Sequence, residues 1–296
     1  MKNLINVSAC CLAVAVALSA SPLYARTPAA AGAASPVQVS PAIEAAVKST
    51  TRDPANVTRD GFRHPAQTLS FFKLTPASTV IEITPGNGWY SEILAPLVRQ
   101  QGQYIAAVVD PAAVPEGRGR DYQQRSRDGL QKKFSTAPAQ FDKATEVAYD
   151  PAAPVFGKPA SADVVLTFRN VHNWRKSGQA PGMFKGFYDV LKPGGVLAVE
   201  EHRSDPTRAQ VAGAKDGYVA TDFVVAAAEK AGFKLDAKSE INANPKDTKD
   251  HPFGVWTLPP VRSSSAGGAP VDPKFDRAKY DAIGESDRMT LRFVKP

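Results

Sequence analysis

The stretch that most constrains the fold of this chain is VIEITPGNGWYSEIL, from Val80 to Leu94. It reads as an apolar strand, a glycine-bearing turn and the start of an amphipathic helix. Glu82 lies inside the strand, and Asp110 ends the next apolar run, GQYIAAVVD. An α/β protein that holds a nucleotide needs this arrangement at its first crossover. Small residues let the backbone approach the ligand, the helix N-terminus supplies partial positive charge, and a downstream carboxylate accepts ribose hydroxyls. Gly86 and Gly88 free the turn from Cβ clashes, and Asn87 between them tolerates left-handed geometry. Asp110 falls 22 residues after Gly88, where a ribose-binding carboxylate is expected. The same string is also compatible with an ordinary tight turn.

Beyond this crossover the apolar rhythm alternates. Strands are expected at Thr79–Ile83, Tyr104–Val109, Ala144–Tyr149, Ala162–Phe168, Val196–Glu201 and Phe233–Asp236. Helical patterns at Trp89–Gln100, Gly119–Phe134, Pro181–Leu191 and Thr221–Ala231 separate most of them. Strand–helix alternation predicts a mainly parallel sheet covered on both faces. A Pro/Gly/Ser-rich loop from Leu258 to Pro273 breaks it, and the closing MTLRFVKP alternates like an edge or inserted strand.

The chain has 296 residues, enough for one large α/β domain or two small ones, with a 43% hydrophobic share and a net charge of +7. Basic residues are interspersed with acidic ones. Even the densest patch, Arg118 to Lys133, contains Asp121 and Asp128 and reads as a solvated helix face, so no nucleic-acid partner is expected. Residues 1–25 read as a cleavable export signal: Lys2 is the positive start, Ala9 to Ala20 the apolar run, and Ala20 or Ala25 a cleavage point. That run is too short to span a bilayer, so no stable membrane anchor is expected. Both cysteines, Cys10 and Cys11, fall inside it, leaving a mature chain without thiols. The organisation expected is a signal peptide at 1–25, a flexible linker at 26–45, an N-terminal helical cap at 46–76 and the main domain at 77–296. The location expected is the periplasm.

Two further clusters carry polar side chains to strand ends. ADVVLTFRNVHNW ends in Arg169, Asn170, His172 and Asn173, where an open parallel sheet binds its ligands. His172 is either a structural histidine or a base that takes a proton from a substrate. LKPGGVLAVEEHR turns at Pro-Gly-Gly and ends in Glu200, Glu201 and His202. Successive strand residues alternate faces, so at most one of the two glutamates is expected to point inward. The histidines at 64, 172, 202 and 251 lack a short spaced motif, so no metal is expected. Convergence of His172, His202 and a glutamate is geometrically possible, since their strands could be neighbours.

Together these blocks resemble the class I S-adenosylmethionine-dependent methyltransferases, and more narrowly a bacterial family of exported predicted methyltransferases. The narrower resemblance rests on RHPAQTLSFFKL, EITPGNGWYSEILAP, FRNVHNW, LKPGGVLAVEEHR, HPFGVWTLPP and SDRMTLRFVKP, and covers the chain from about Thr51 to its end. It implies an α/β fold: a Rossmann-like, doubly wound, seven-stranded, mainly parallel sheet with one antiparallel strand, MTLRFVKP, plus a small N-terminal helical cap. It also implies S-adenosylmethionine as cofactor and methyl transfer to a small-molecule acceptor. Glu82, Thr84, Gly86, Gly88, Asp110, Asp150 and Asn170 would bind the cofactor, with Asp110 on the ribose and Asp150 near the adenine. His172 would be the catalytic base. One position departs from that class, whose turn usually opens with glycine: here Thr84 stands there, followed by Pro85. Pro85 is expected to push Thr84 into an extended conformation and to remove an amide donor. Two other uses of such a chain are an exported binding protein that keeps the fold, and a nicotinamide-dependent oxidoreductase. The spacing Gly86-x-Gly88-x-x-Ser91 partly imitates the dinucleotide fingerprint, but the terminal strand and the Pro-Gly-Gly turn weigh against the oxidoreductase.

Overall fold

The computed structural model describes Met1 and residues 37–206, 214–267 and 269–296. The expected signal peptide and most of the expected linker lie outside the described residues. The strands are β1 Thr79–Ile83, β2 Gln103–Val109, β3 Thr145–Tyr149, β4 Ala162–Phe168, β5 Leu191–His202, β6 Lys234–Ser239 and β7 Arg288–Val294. They form one sheet in the order β3-β2-β1-β4-β5-β7-β6. Neighbours from β3 through β5 run parallel, whereas β7 is antiparallel to both β5 and β6. The MTLRFVKP run is therefore an inserted strand and not an edge.

Alternate residues along each central strand enter two different cores. Ile81, Ile83, Ala107, Val165, Leu197 and Val199 pack against Met183, Phe184, Phe187 and Val224 on one face. Val80, Ala106, Val164, Leu166 and Ala198 pack against Leu69, Phe72, Ile93 and Leu94 on the other. Burial on both faces is why these strands are almost continuously apolar, while the edge strand β6 alternates exposed and half-buried residues.

The helices are α1 Pro41–Val47, α2 Pro54–Val57, α3 Asp60–Arg63, α4 Pro65–Phe71, α5 Ser91–Val98, α6 Arg118–Thr136, α7 Pro138–Phe141, α8 Val171–Ser177, α9 Ala180–Val190, α10 Thr221–Lys230 and α11 Arg277–Asp281. Proline opens several of them, where its missing N–H costs nothing. Helix α1 starts inside the stretch assigned to the linker, because Ile43 is fully buried in the second core. α6 keeps its charged face in solvent, with Leu130 as its one buried residue. No described helix is long and apolar enough to cross a membrane.

The Pro-Gly-Gly turn lies within β5 and not before it. Leu191 pairs with Ala162 and Val196 with Val164, so the intervening residues bulge from the ladder, with Gly194 at φ +77°. The register aligns Ile83 with Ala107 and Thr167, and Phe168 with Glu200. The carboxyl ends of β1, β2, β4 and β5 thus meet along one edge.

Candidate functional site

At that edge the structure holds a cavity of about 560 Å³. Its floor is the end of β1 with Glu82 and Ile83, and the turn Thr84–Asn87. One wall is the end of β4 with Phe168, Arg169, Asn170 and His172, beside His202 of β5. A second is the N-terminal cap, through Asn56, Arg59 and Arg63. The third comes from Val255, Trp256 and Leu258–Val261, with Glu285 and Ser286. The late segment reaches in because Gly254 lets it pass against Asp216: a Cβ at Gly254 would sit 2.3 Å from the Asp216 carbonyl oxygen.

The β1 turn departs from the sequence expectation at Thr84. Its φ is +50°, so the residue is left-handed rather than extended. Two contacts hold it there. Its N–H donates to Ala107 O at 2.7 Å, and its hydroxyl lies 2.8 Å from the Tyr149 hydroxyl. Positive φ in a β-branched residue is a strained conformation that glycine adopts freely. Thr84 therefore has a backbone that glycine would adopt without strain. Gly86, at φ +58°, lines the cavity with nothing within 4 Å of where a Cβ would stand. Gly88 faces helix α6 instead: a Cβ there would meet Leu130 at 3.1 Å and Lys133 at 3.2 Å. A second, far smaller space of about 10 Å³ adjoins Thr84 and Gly86 against Val108, Val109 and Leu130.

Glu82 is buried at the floor. Its Oε2 accepts from the Tyr104 hydroxyl at 2.6 Å and from the Ser91 hydroxyl at 3.0 Å. Burial raises its pKa to about 7, against the pull of those two bonds. Both hydroxyls reach the same oxygen.

The remaining expected site residues divide. Asn170 lines the cavity, and its Nδ2 donates to Ile83 O at 3.0 Å and Thr167 Oγ1 at 3.3 Å, tying β4 to β1. Asp110 and Asp150 stand outside the lining at the ends of β2 and β3. Each uses Oδ1 to cap its own turn, accepting from Ala112 N at 3.0 Å and from Ala152 N at 2.8 Å.

His172 opens helix α8 against Glu201. Its Nδ1 lies 3.1 Å from Glu201 Oε1, and its backbone N–H donates to Oε2 at 3.1 Å. The His202 backbone N–H also donates to Glu201 Oε1, at 2.8 Å, while His202 Nδ1 lies 2.6 Å from Ser286 Oγ. Burial, followed by the neighbouring His172, holds His202 well below the usual histidine range. Glu200 and Glu201 are both fully buried. Both are interior because β5 is buried over Val196–Glu201, yet they point to opposite faces as alternation along a strand predicts, and of the two Glu201 faces His172. Glu200 turns to the other face, 2.9 Å from Arg288 and within 3.2 Å of the Tyr90 hydroxyl.

Sequence reading missed the charge cluster on the cap side. Glu285 meets Arg59 at 2.7 Å, Arg63 at 3.0 Å, Arg288 at 3.0 Å and Arg169 at 3.7 Å. Burial works to raise the Glu285 pKa, but the four guanidiniums outweigh it and hold the carboxyl near 2. Arg63 is 2% exposed and lies 4.5 Å over the Trp89 ring. Burial, then Arg169, lowers its pKa to about 9. The only trace of this cluster in the sequence is that its members fall within or beside the RHPAQ, FRNVHNW and SDRM strings.

No protein-family model and no curated protein matches the chain. Solved structures do. The [4+2]-cyclase SpnF matches at a TM-score of 0.55 and 13% identity, over 84% of this chain and 85% of that one. A SAM-dependent methyltransferase from Aquifex aeolicus matches at 0.49 and 17%, over 64% and 88%. The glycopeptide N-methyltransferase MtfA, complexed with S-adenosyl-L-methionine, matches at 0.48 and 15%, over 78% and 86%. At 13% identity the likeness to SpnF is one of fold, a Rossmann-like α/β sheet.

Proposed function

We propose that the chain binds S-adenosylmethionine in the main cavity and transfers the methyl group to a small-molecule acceptor. The observation that carries this reading is the placing of the Thr84–Asn87 turn. It stands at the cavity floor, at the carboxyl end of β1, where the sheet order reverses between β1 and β4. The residues present suit such a ligand. Gly86 leaves open space where a side chain would stand, and Glu82 lines the same cavity. Glu82, Thr84, Gly86 and Asn170 would hold the methionine half. Asp110, at the end of β2, would take the ribose, and Asp150, at the end of β3, would lie toward the adenine. Gly88 contributes by letting α6 approach.

Bound there, S-adenosylmethionine supplies a methyl group on a sulfonium sulfur, and transfer leaves the carbon–sulfur electron pair on sulfur. The protein's part is alignment and exclusion of water, which supply most of what this displacement needs. Trp89, Tyr90, Phe168 and Trp256 provide the apolar surface. Glu201 holds His172 through Nδ1, leaving Nε2 to accept the proton of a hydroxyl or acidic-carbon acceptor. Export by the N-terminal segment to the periplasm is part of the proposal, and fusion to a reporter active only outside the cytoplasm tests it.

One observation favours a second reading, an exported binding protein that keeps the fold: Asp110 and Asp150 lie outside the cavity lining. Thermal-shift measurements with S-adenosylmethionine, S-adenosylhomocysteine and NAD separate the readings. Stabilisation by both sulfur ligands and not by NAD is the expected result. Stabilisation by none favours the binding protein, and by NAD alone the oxidoreductase.

A further inference from the structure

We infer that His172, Glu201 and His202 form a binding site for one divalent first-row transition ion at the inner wall of the cavity. One ligand atom from each of the three lies within 4.8 Å of the other two. Ligation at about 2.1 Å calls for spacings of roughly 3.3 Å between donors, so each atom has to move by about 1 Å at most. Rotamer adjustments cover that distance.

The surroundings of the three side chains are those of a ligand set. His202 Nδ1 is held by Ser286 Oγ at 2.6 Å, which leaves Nε2 as its free donor. Such an outer partner fixes ring orientation in metal sites. Glu201 is oriented by backbone N–H groups from both His172 and His202, at 3.1 and 2.8 Å. The three residues come from two adjacent, paired strand ends, β4–α8 and β5, which are rigid scaffold rather than loop.

Two imidazoles and one carboxylate select by donor type. Magnesium and calcium prefer oxygen shells, whereas imidazole suits zinc, iron, cobalt and nickel. Three protein ligands beside a cavity leave coordination positions open, as in catalytic rather than structural sites. Each neighbouring guanidinium has an ion-pair partner, but Glu200 and Glu285 set only two negative charges against the four of Arg59, Arg63, Arg169 and Arg288, so a cation binds here against residual positive charge. Arg59, Arg63 and Arg169 line the same cavity, which favours an anionic oxygen donor as the exogenous ligand. The assignment needs only these side chains and stands whether or not S-adenosylmethionine binds. In the metal-loaded protein His172 would be a ligand rather than the base, and the ion would supply Lewis-acid polarisation of a bound oxygen.

Calorimetric titration with Zn²⁺ alone tests the site, using the demetallated full-length chain carrying Cys10→Ser and Cys11→Ser so that thiols do not compete. One equivalent is expected to bind, and His172→Gln, Glu201→Gln and His202→Gln are each expected to weaken binding by roughly tenfold or more. Absence of a one-equivalent site, or affinities unchanged in folded His172→Gln and His202→Gln proteins, overturns the assignment. The Co²⁺ visible spectrum of the same Cys-free background, with all three ligands intact, covers the case in which those variants do not fold. An intense four- or five-coordinate band displaced by Zn²⁺ supports the site, and a spectrum no different from aqueous Co²⁺ overturns it.

Discussion

The hydroxyls of Thr84 and Tyr149 lie 2.8 Å apart, joining the turn after β1 to the end of β3 across β2. This contact helps to hold a β-branched residue at φ +50°. Thr84→Val keeps the strain and leaves the buried Tyr149 hydroxyl without its partner, a loss of about 1–3 kcal/mol. Thr84→Gly loses the same bond but relieves a left-handed backbone that costs about 1–2 kcal/mol. Chemical denaturation is expected to rank Thr84→Gly above Thr84→Val. The reverse order would mean that the backbone at Thr84 is not strained.

Glu82 makes stability depend on pH. Its folded pKa of about 7 lies above the ordinary carboxyl value of 4.5. The folded state therefore holds a proton that the unfolded state has released between those values. The contribution of this group is fully present below about 4.5, declines as pH rises to about 7, and is flat beyond. Glu82→Gln removes the titration. At pH 8 the variant is expected to gain about 1–3 kcal/mol over the wild type, with the advantage vanishing near pH 4. Denaturation midpoints of both proteins across that range check the sign; a constant difference at every pH would contradict it.

Glu285 is the common partner of Arg59, Arg63, Arg169 and Arg288. Glu285→Gln would leave four guanidiniums sharing a buried region with no carboxylate at its centre. Breaking such a cluster from one side costs about 3–5 kcal/mol. The loss should be read at neutral pH in urea, and a change under about 1 kcal/mol would mean that water already screens the cluster.

The sequence made some of this site legible and hid the rest for identifiable reasons. The strand–turn–helix at Val80–Leu94 was readable because its information is local: period, glycine and helix start all lie within one crossover. The sheet followed from the alternation of apolar runs, and β7 from its alternating pattern. The cluster at Glu285 was not readable, because Arg59 and Glu285 are 226 residues apart and meet only when the cap docks beside β7. His172 and Glu201 are 29 residues apart and meet because β4 and β5 pair. Thr84 departs from the extended conformation favoured before proline because its tertiary bonds to Ala107 and Tyr149, which no local rule contains, override that preference.

The proposal that the Thr84–Asn87 turn floors a binding site for S-adenosylmethionine stands or falls on ligand binding. Its most direct test is calorimetric titration of the full-length chain with S-adenosylhomocysteine, beside Gly86→Val. The Cβ position at Gly86 is open cavity space, so the variant costs about 1–2 kcal/mol in backbone strain while filling the place of the ligand. One equivalent bound by the wild type, and binding weakened by tenfold or more in a folded Gly86→Val protein, is the predicted result. No binding to the wild type at millimolar ligand, or equal affinity in both proteins, would contradict it.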